Sequence, residues 1–189
     1  NMSGIGIIMG AGNTIQSNTV TSSTAYGIAL VGTNGNTVQE NQISGTGLIA
    51  IVVDNMSAVG GPASMVSTGN FIKGNTITSP GSDGIFVGED CDGNYFTDAN
   101  EVAGVGIGTA LSLWRSGSHI VTDNTFNSTS TGIRMLGSSF NEITGNSITA
   151  NVVGFKIDAS WQDDTWYPCL DHTITANAIA GNTTFGMDA

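Results

Sequence analysis

Asparagine recurs in this chain in two phased columns, and no other feature limits its fold so severely. The first column runs Asn13, Asn36, Asn70, Asn94, His119, Asn141, His172, and the second Asn18, Asn41, Asn75, Asn100, Asn124, Asn146, Asn177. A small residue opens each repeat, at Gly4, Gly27, Ala50, Gly84, Ala110, Gly132 and Gly154, and Gly186 begins another. The residues one and three beyond each opening are apolar, as in Ile28/Leu30, Ile85/Val87 and Ile133/Met135. That is the alternation of a strand with one face turned inward. A further apolar residue follows each first-column position (Ile15, Val38, Ile72) and each second-column position (Val20, Ile43, Ile77).

Each repeat therefore carries three short strands, none able to bury a face by itself, so every repeat must stack on its neighbours. The sequence predicts an all-β right-handed single-stranded parallel β-helix, a solenoid of about seven coils of 22–24 residues with three parallel sheets. Composition agrees: 27 Gly, 3 Pro and 10% charged residues suit short strands and tight turns, and no stretch shows helical periodicity. Asparagine tolerates left-handed turn geometry and can bond the equivalent amide one coil away, so both columns read as structural. His119 and His172, which occupy column positions, read as turn residues for the same reason.

With these repeats, the chain resembles the right-handed parallel β-helix proteins of the pectin-lyase-like superfamily over essentially its whole length. The resemblance implies a fold shared by polysaccharide lyases, epimerases, hydrolases, tailspikes and adhesins, and so an architecture more than an activity. In related polysaccharide-active members the first sheet forms the substrate groove. Residues 1–189 are expected to form one domain, a piece of a longer chain, with loop insertions at 54–68 and 159–170.

Four basic residues against fifteen acidic ones give a formal net charge of −11. Such a field repels a phosphate backbone, so nucleic acid is not an expected partner. No apolar run reaches the length of a membrane span. Scarce Lys with abundant Asn, Thr and Gly points to an extracellular or cell-surface protein. Cys91 and Cys169 fall on one edge three coils apart, about 14 Å at the usual strand spacing, too far for a disulfide.

Departures from the repeat are where function is sought. The second insertion concentrates Trp161, Trp166 and Tyr167 with acidic residues, a combination that holds sugar rings by stacking on their C–H faces while carboxylates accept hydroxyl hydrogens. Trp114, Arg134, Lys156 and Asp158 face outward on the first sheet beside it, and Arg134 and Lys156 hold equivalent positions in adjacent coils. These seven residues form the candidate glycan site. For a catalytic reading, Arg134 or Lys156 would neutralise a uronate while Asp171 or His172 handled the proton. No resident cofactor is expected; Glu89, Asp90 and Asp92 are the weak candidates for calcium. Ile8, Val31, Val52 and Phe86 make an apolar outer stripe that calls for a cover, by another copy, a further domain or the first insertion. The primary expectation is a non-catalytic scaffold that contacts carbohydrate. A lyase or epimerase acting on an acidic glycan, and a purely structural self-assembling module, are the alternatives.

Overall fold

In a computed structural model, which describes residues 3–104, 106, 108–162 and 164–188, the backbone winds as the repeats require. The first sheet has eight strands, among them Ser3–Ile8, Tyr26–Val31, Thr109–Trp114, Thr131–Leu136 and Val153–Asp158, ordered along the axis as they occur in the chain. The second and third sheets have seven each, and every pairing within the three is parallel. Strands of the second and third sheets are only three residues long, so each contributes one buried side chain flanked by two outward ones. The chain is a right-handed parallel β-helix, and its described residues are all-β apart from one short 3-10 helix.

One apolar core runs down the axis. Ile28, Ile51, Ile85, Leu111, Ile133 and Phe155 from the first sheet meet Val38, Ile72, Phe96 and Val121 from the second and Ile43, Ile77, Phe126 and Ile148 from the third, all closed to solvent. Register places like on like, with Ile85 between Ile51 and Leu111, so each coil completes the burial of the next.

The amide columns are hydrogen-bonded ladders. Asn36 Nδ2 donates to Asn70 Oδ1 at 3.0 Å, and Asn70 Nδ2 to Asn94 Oδ1 at 3.0 Å. Each Oδ1 also accepts the backbone N–H of the preceding coil's asparagine. His119 continues the ladder: its Nδ1 accepts Asn94 N–H at 3.2 Å, which leaves the ring proton on Nε2, 3.1 Å from Ser116 Oγ. Two columns escaped the sequence reading. Thr129, Asn151 and Asn182 form a third ladder in the later coils, and Thr33, Ser67, Cys91, Ser116, Ser138 and Cys169 form a hydroxyl and thiol column. Both thiols are free, and each accepts a backbone N–H, Cys91 from Ser67 and Cys169 from Ser138.

The insertions take definite shapes. The first folds through a 3-10 helix, Met56–Val59, N-capped by Asn55, and seats Met56 on the outer face of the first sheet against Ala29, Val31 and Val52. Of the three covers the stripe could take, the first insertion serves for Val31 and Val52, while Ile8 stays 54% exposed and Phe86 packs edge-on against Trp114. The second insertion is an antiparallel hairpin, Ser160–Gln162 against Thr165–Tyr167. Among the described residues, no helix is long and apolar enough to cross a membrane.

Candidate functional site

The outer face of the first sheet changes chemistry along the axis because its repeat permits any side chain that need not fit the core. Register aligns Ser112, Arg134 and Lys156 in one row and Trp114, Leu136 and Asp158 in the next. Asp158 Oδ2 lies 3.4 Å from Arg134 Nη2 and 3.5 Å from Lys156 Nζ, so one carboxylate bridges both cations. Asp83 also faces Arg134. Burial raises the Asp83 pKa, opposed by an accepted Thr109 N–H and by the Arg134 charge. Two carboxylates thus attend two cations, and the pair is not a bare anion cradle.

Arg115, one residue beyond the first-sheet strand, is the residue that sequence reasoning passed over. It adopts φ +47 in a turn column shared with Met9, Gly32, Asp90 and Gly137, all left-handed. The turn carries its guanidinium between two rings, 4.7 Å from the Trp114 centroid and 5.1 Å from that of Tyr167, with Nη1 3.0 Å from Glu89 Oε1. Trp114 and Tyr167 are therefore held by Arg115 instead of standing open as sugar platforms, and Tyr167 anchors the hairpin to the sheet. The only hint in sequence was an arginine beside an outward tryptophan.

Trp161 and Trp166 behave differently. They face each other across the hairpin, ring centroids 5.9 Å apart, and remain 63% and 58% exposed. The remaining candidates scatter. His172 extends the first ladder, its Nδ1 accepting Asn141 N–H at 3.3 Å, and burial lowers its pKa. Asp171 sits exposed in the adjoining turn at φ +55. Among the described residues, no ion pair or hydrogen bond joins Asp171 or His172 to Arg134 or Lys156. In the acidic turn, Glu89 is spent on Arg115 and Asp92 Oδ1 accepts Gly117 N–H at 2.6 Å.

The pattern of the NosD family, described as periplasmic copper-binding protein, matches residues 1–97 and again 61–188. The chain belongs to the NosD family. No curated protein matches it. Among solved structures, a point mutant of the periplasmic alginate epimerase AlgG superimposes with a TM-score of 0.73 at 18% identity, over 98% of this chain and 46% of that one. Unmutated AlgG gives 0.66 at 17%, over 96% and 49%. The A-module of Azotobacter vinelandii mannuronan C-5 epimerase AlgE4 gives 0.47 at 15%, over 92% and 55%. This NosD-family chain spans about half the length of these structures, and at such identity the two AlgG structures share its fold.

The family description invites a test of the soft donors. Both His119 ring nitrogens are engaged, the ring is fully buried, and burial lowers its pKa to about 3. Burial pushes the Cys91 thiol up to about 12 while it serves the hydroxyl and thiol column. Cys169 is similarly engaged. His172 Nε2 is buried without a partner, yet among the described residues no three His, Cys, Asp or Glu side chains gather to hold a metal ion. These residues do not fit a copper centre, which requires several soft ligands converging on one point.

Proposed function

We propose that this chain is a non-catalytic β-helical scaffold working outside the cytoplasm, and that it contacts glycans where the hairpin meets the first sheet. The carrying observation is the pair Trp161 and Trp166, more than half exposed on a hairpin whose base is pinned by Tyr167 on Arg115. Exposing two such rings on a held support is costly unless something stacks on them. Arg134, Lys156 and Asp158 line the adjoining sheet and would supply polar contacts to sugar hydroxyls. A location outside the cytoplasm is supported by the periplasmic description of the family and by the periplasmic epimerases that share the fold.

The epimerase or lyase alternative is weaker on two counts. Asp158 and Asp83 already compensate Arg134, and His172 belongs to the ladder while Asp171 sits in the exposed turn beside it. Binding of a glycan array by the full chain, compared with Trp161→Ala and Trp166→Ala, tests the reading. Retained glycans in the parent and about tenfold weaker capture in each variant are expected; equal capture would overturn it. Absorbance of unsaturated uronate, appearing on incubation with acidic polysaccharides and vanishing in Arg134→Ala, would install the lyase instead.

A further inference from the structure

A cavity of about 200 Å³ opens beside the first sheet, between the acidic turn of the fourth coil and the hairpin of the seventh. Asp90 and Asp92 line one end, Arg115 lies between, and Tyr167 and Phe140 line the other. Its chemistry and its strain both point to a ligand. The Arg115 side chain is 2% exposed, and its Nε is buried with no hydrogen-bond partner. Buried polar groups are normally satisfied, so Arg115 lines the cavity with donor capacity that its contacts within the chain do not use up.

Phe140 is the second, independent signal. It occupies a turn column whose members, Gly12, Gly35, Gly69, Gly93, Ser118, Phe140 and Asp171, all have left-handed backbones. Four are glycine, as the geometry prefers. Phe140 sits there at φ +59 and is 61% exposed as a residue, so packing does not account for the strain of a bulky residue in that conformation. The position is rigid: Phe140 N–H donates to Leu170 O at 2.9 Å, and Ser139 Oγ donates to Pro168 O at 3.0 Å, stitching the turn to the hairpin's return.

We propose that this cavity is a subsite for a single neutral sugar ring, stacked on Phe140 with its hydroxyls donating to Asp90 and Asp92 and accepting from Arg115. The inference rests on the glycan reading above and specifies its substrate class. Volume limits the occupant, since clefts for larger ligands run from about 300 Å³ upward. Charge selects it. The lining holds one cation, itself paired with Glu89, against two exposed carboxylates, and the whole chain carries −11, so a uronate is repelled locally and at distance.

The test uses the full chain and calorimetric titration with hexasaccharides of mannose, glucose and galactose, each alongside its uronate counterpart. At least one neutral hexasaccharide should bind, and its uronate at least about tenfold more weakly. Phe140→Gly should lose about tenfold in that affinity while its melting temperature holds or rises, because glycine suits the turn. Equal or tighter binding of the uronate overturns the neutral assignment. If Trp166→Ala abolishes binding while Phe140→Gly leaves it untouched, this subsite is overturned and the broader glycan reading stands. If no hexasaccharide of either kind binds at millimolar concentration, both fall.

Discussion

The guanidinium of Arg115 rests on the ring of Tyr167, 5.1 Å from its centroid, and this contact fastens an inserted hairpin to the solenoid. Tyr167→Ala should therefore cost about 1–2 kcal/mol and accelerate amide exchange in Ser160–Gln162 and Thr165–Tyr167 while the coils stay protected. Gly137→Ala should act in the same direction. A Cβ there would come within 2.7 Å of Tyr167 Cβ and 2.8 Å of Ser160 Cβ, at a φ of +60. Unchanged exchange in both variants would mean that the hairpin is held by something else.

The ladder should be graded from end to middle. Asn70 is closed to solvent, and its amide makes bonds to Thr33, Asn36 and Asn94. Truncation leaves the buried Asn36 N–H without its acceptor and breaks the amide ladder on both sides, so Asn70→Ala should lose about 2–4 kcal/mol in urea denaturation. Asn13 is exposed at the first coil, and Asn13→Ala should lose less than about 1 kcal/mol. Equal losses at the two positions would contradict a cooperative ladder.

His119 gives the fold a pH dependence of known sign. Burial lowers its pKa from 6.5 to about 3, so the unfolded chain takes up a proton that the folded chain refuses. Its contribution is complete above about pH 6.5 and is lost as pH falls toward 3, at no more than about 1.4 kcal/mol per pH unit. Carboxylates titrate in the lower part of that window, so the comparison with His119→Asn isolates the imidazole. The variant retains an acceptor for Asn94 N–H, and its stability should fall less steeply between pH 6.5 and 4. Parallel curves would place the ring outside the ladder.

The two thiols should separate kinetically. Burial raises both, Cys91 to about 12, and Cys91 is closed to solvent where Cys169 is half-buried. Thiolate is the reactive form, so alkylation followed by mass spectrometry should label Cys169 first and Cys91 only on unfolding. Prompt labelling of Cys91 in the folded chain would show that its coil opens.

Coil boundaries, the core rows and both long ladders were legible in the sequence because each such residue meets its own equivalent one coil away, and equivalence is visible as spacing. Ile85 packs between Ile51 and Leu111, and Asn36 bonds Asn70, for no reason beyond their shared phase. The third ladder was missed because only its later coils carry it, at Thr129, Asn151 and Asn182. Trp114 and Tyr167 were legible as unusual aromatics but not as partners of Arg115, because no period relates them.

By itself, then, the amino-acid sequence determined a winding backbone, its three sheets and the identity of its interior, since a repeated pattern has one way to bury its apolar rows. Only the tertiary structure decided where the insertions lie. Met56 covers Val31 and Val52, Tyr167 turns inward while Trp161 and Trp166 turn outward, and Asp83 and Asp158 converge on Arg134. Those outcomes rest on packing and charge between residues without repeat partners, which a one-dimensional period does not encode.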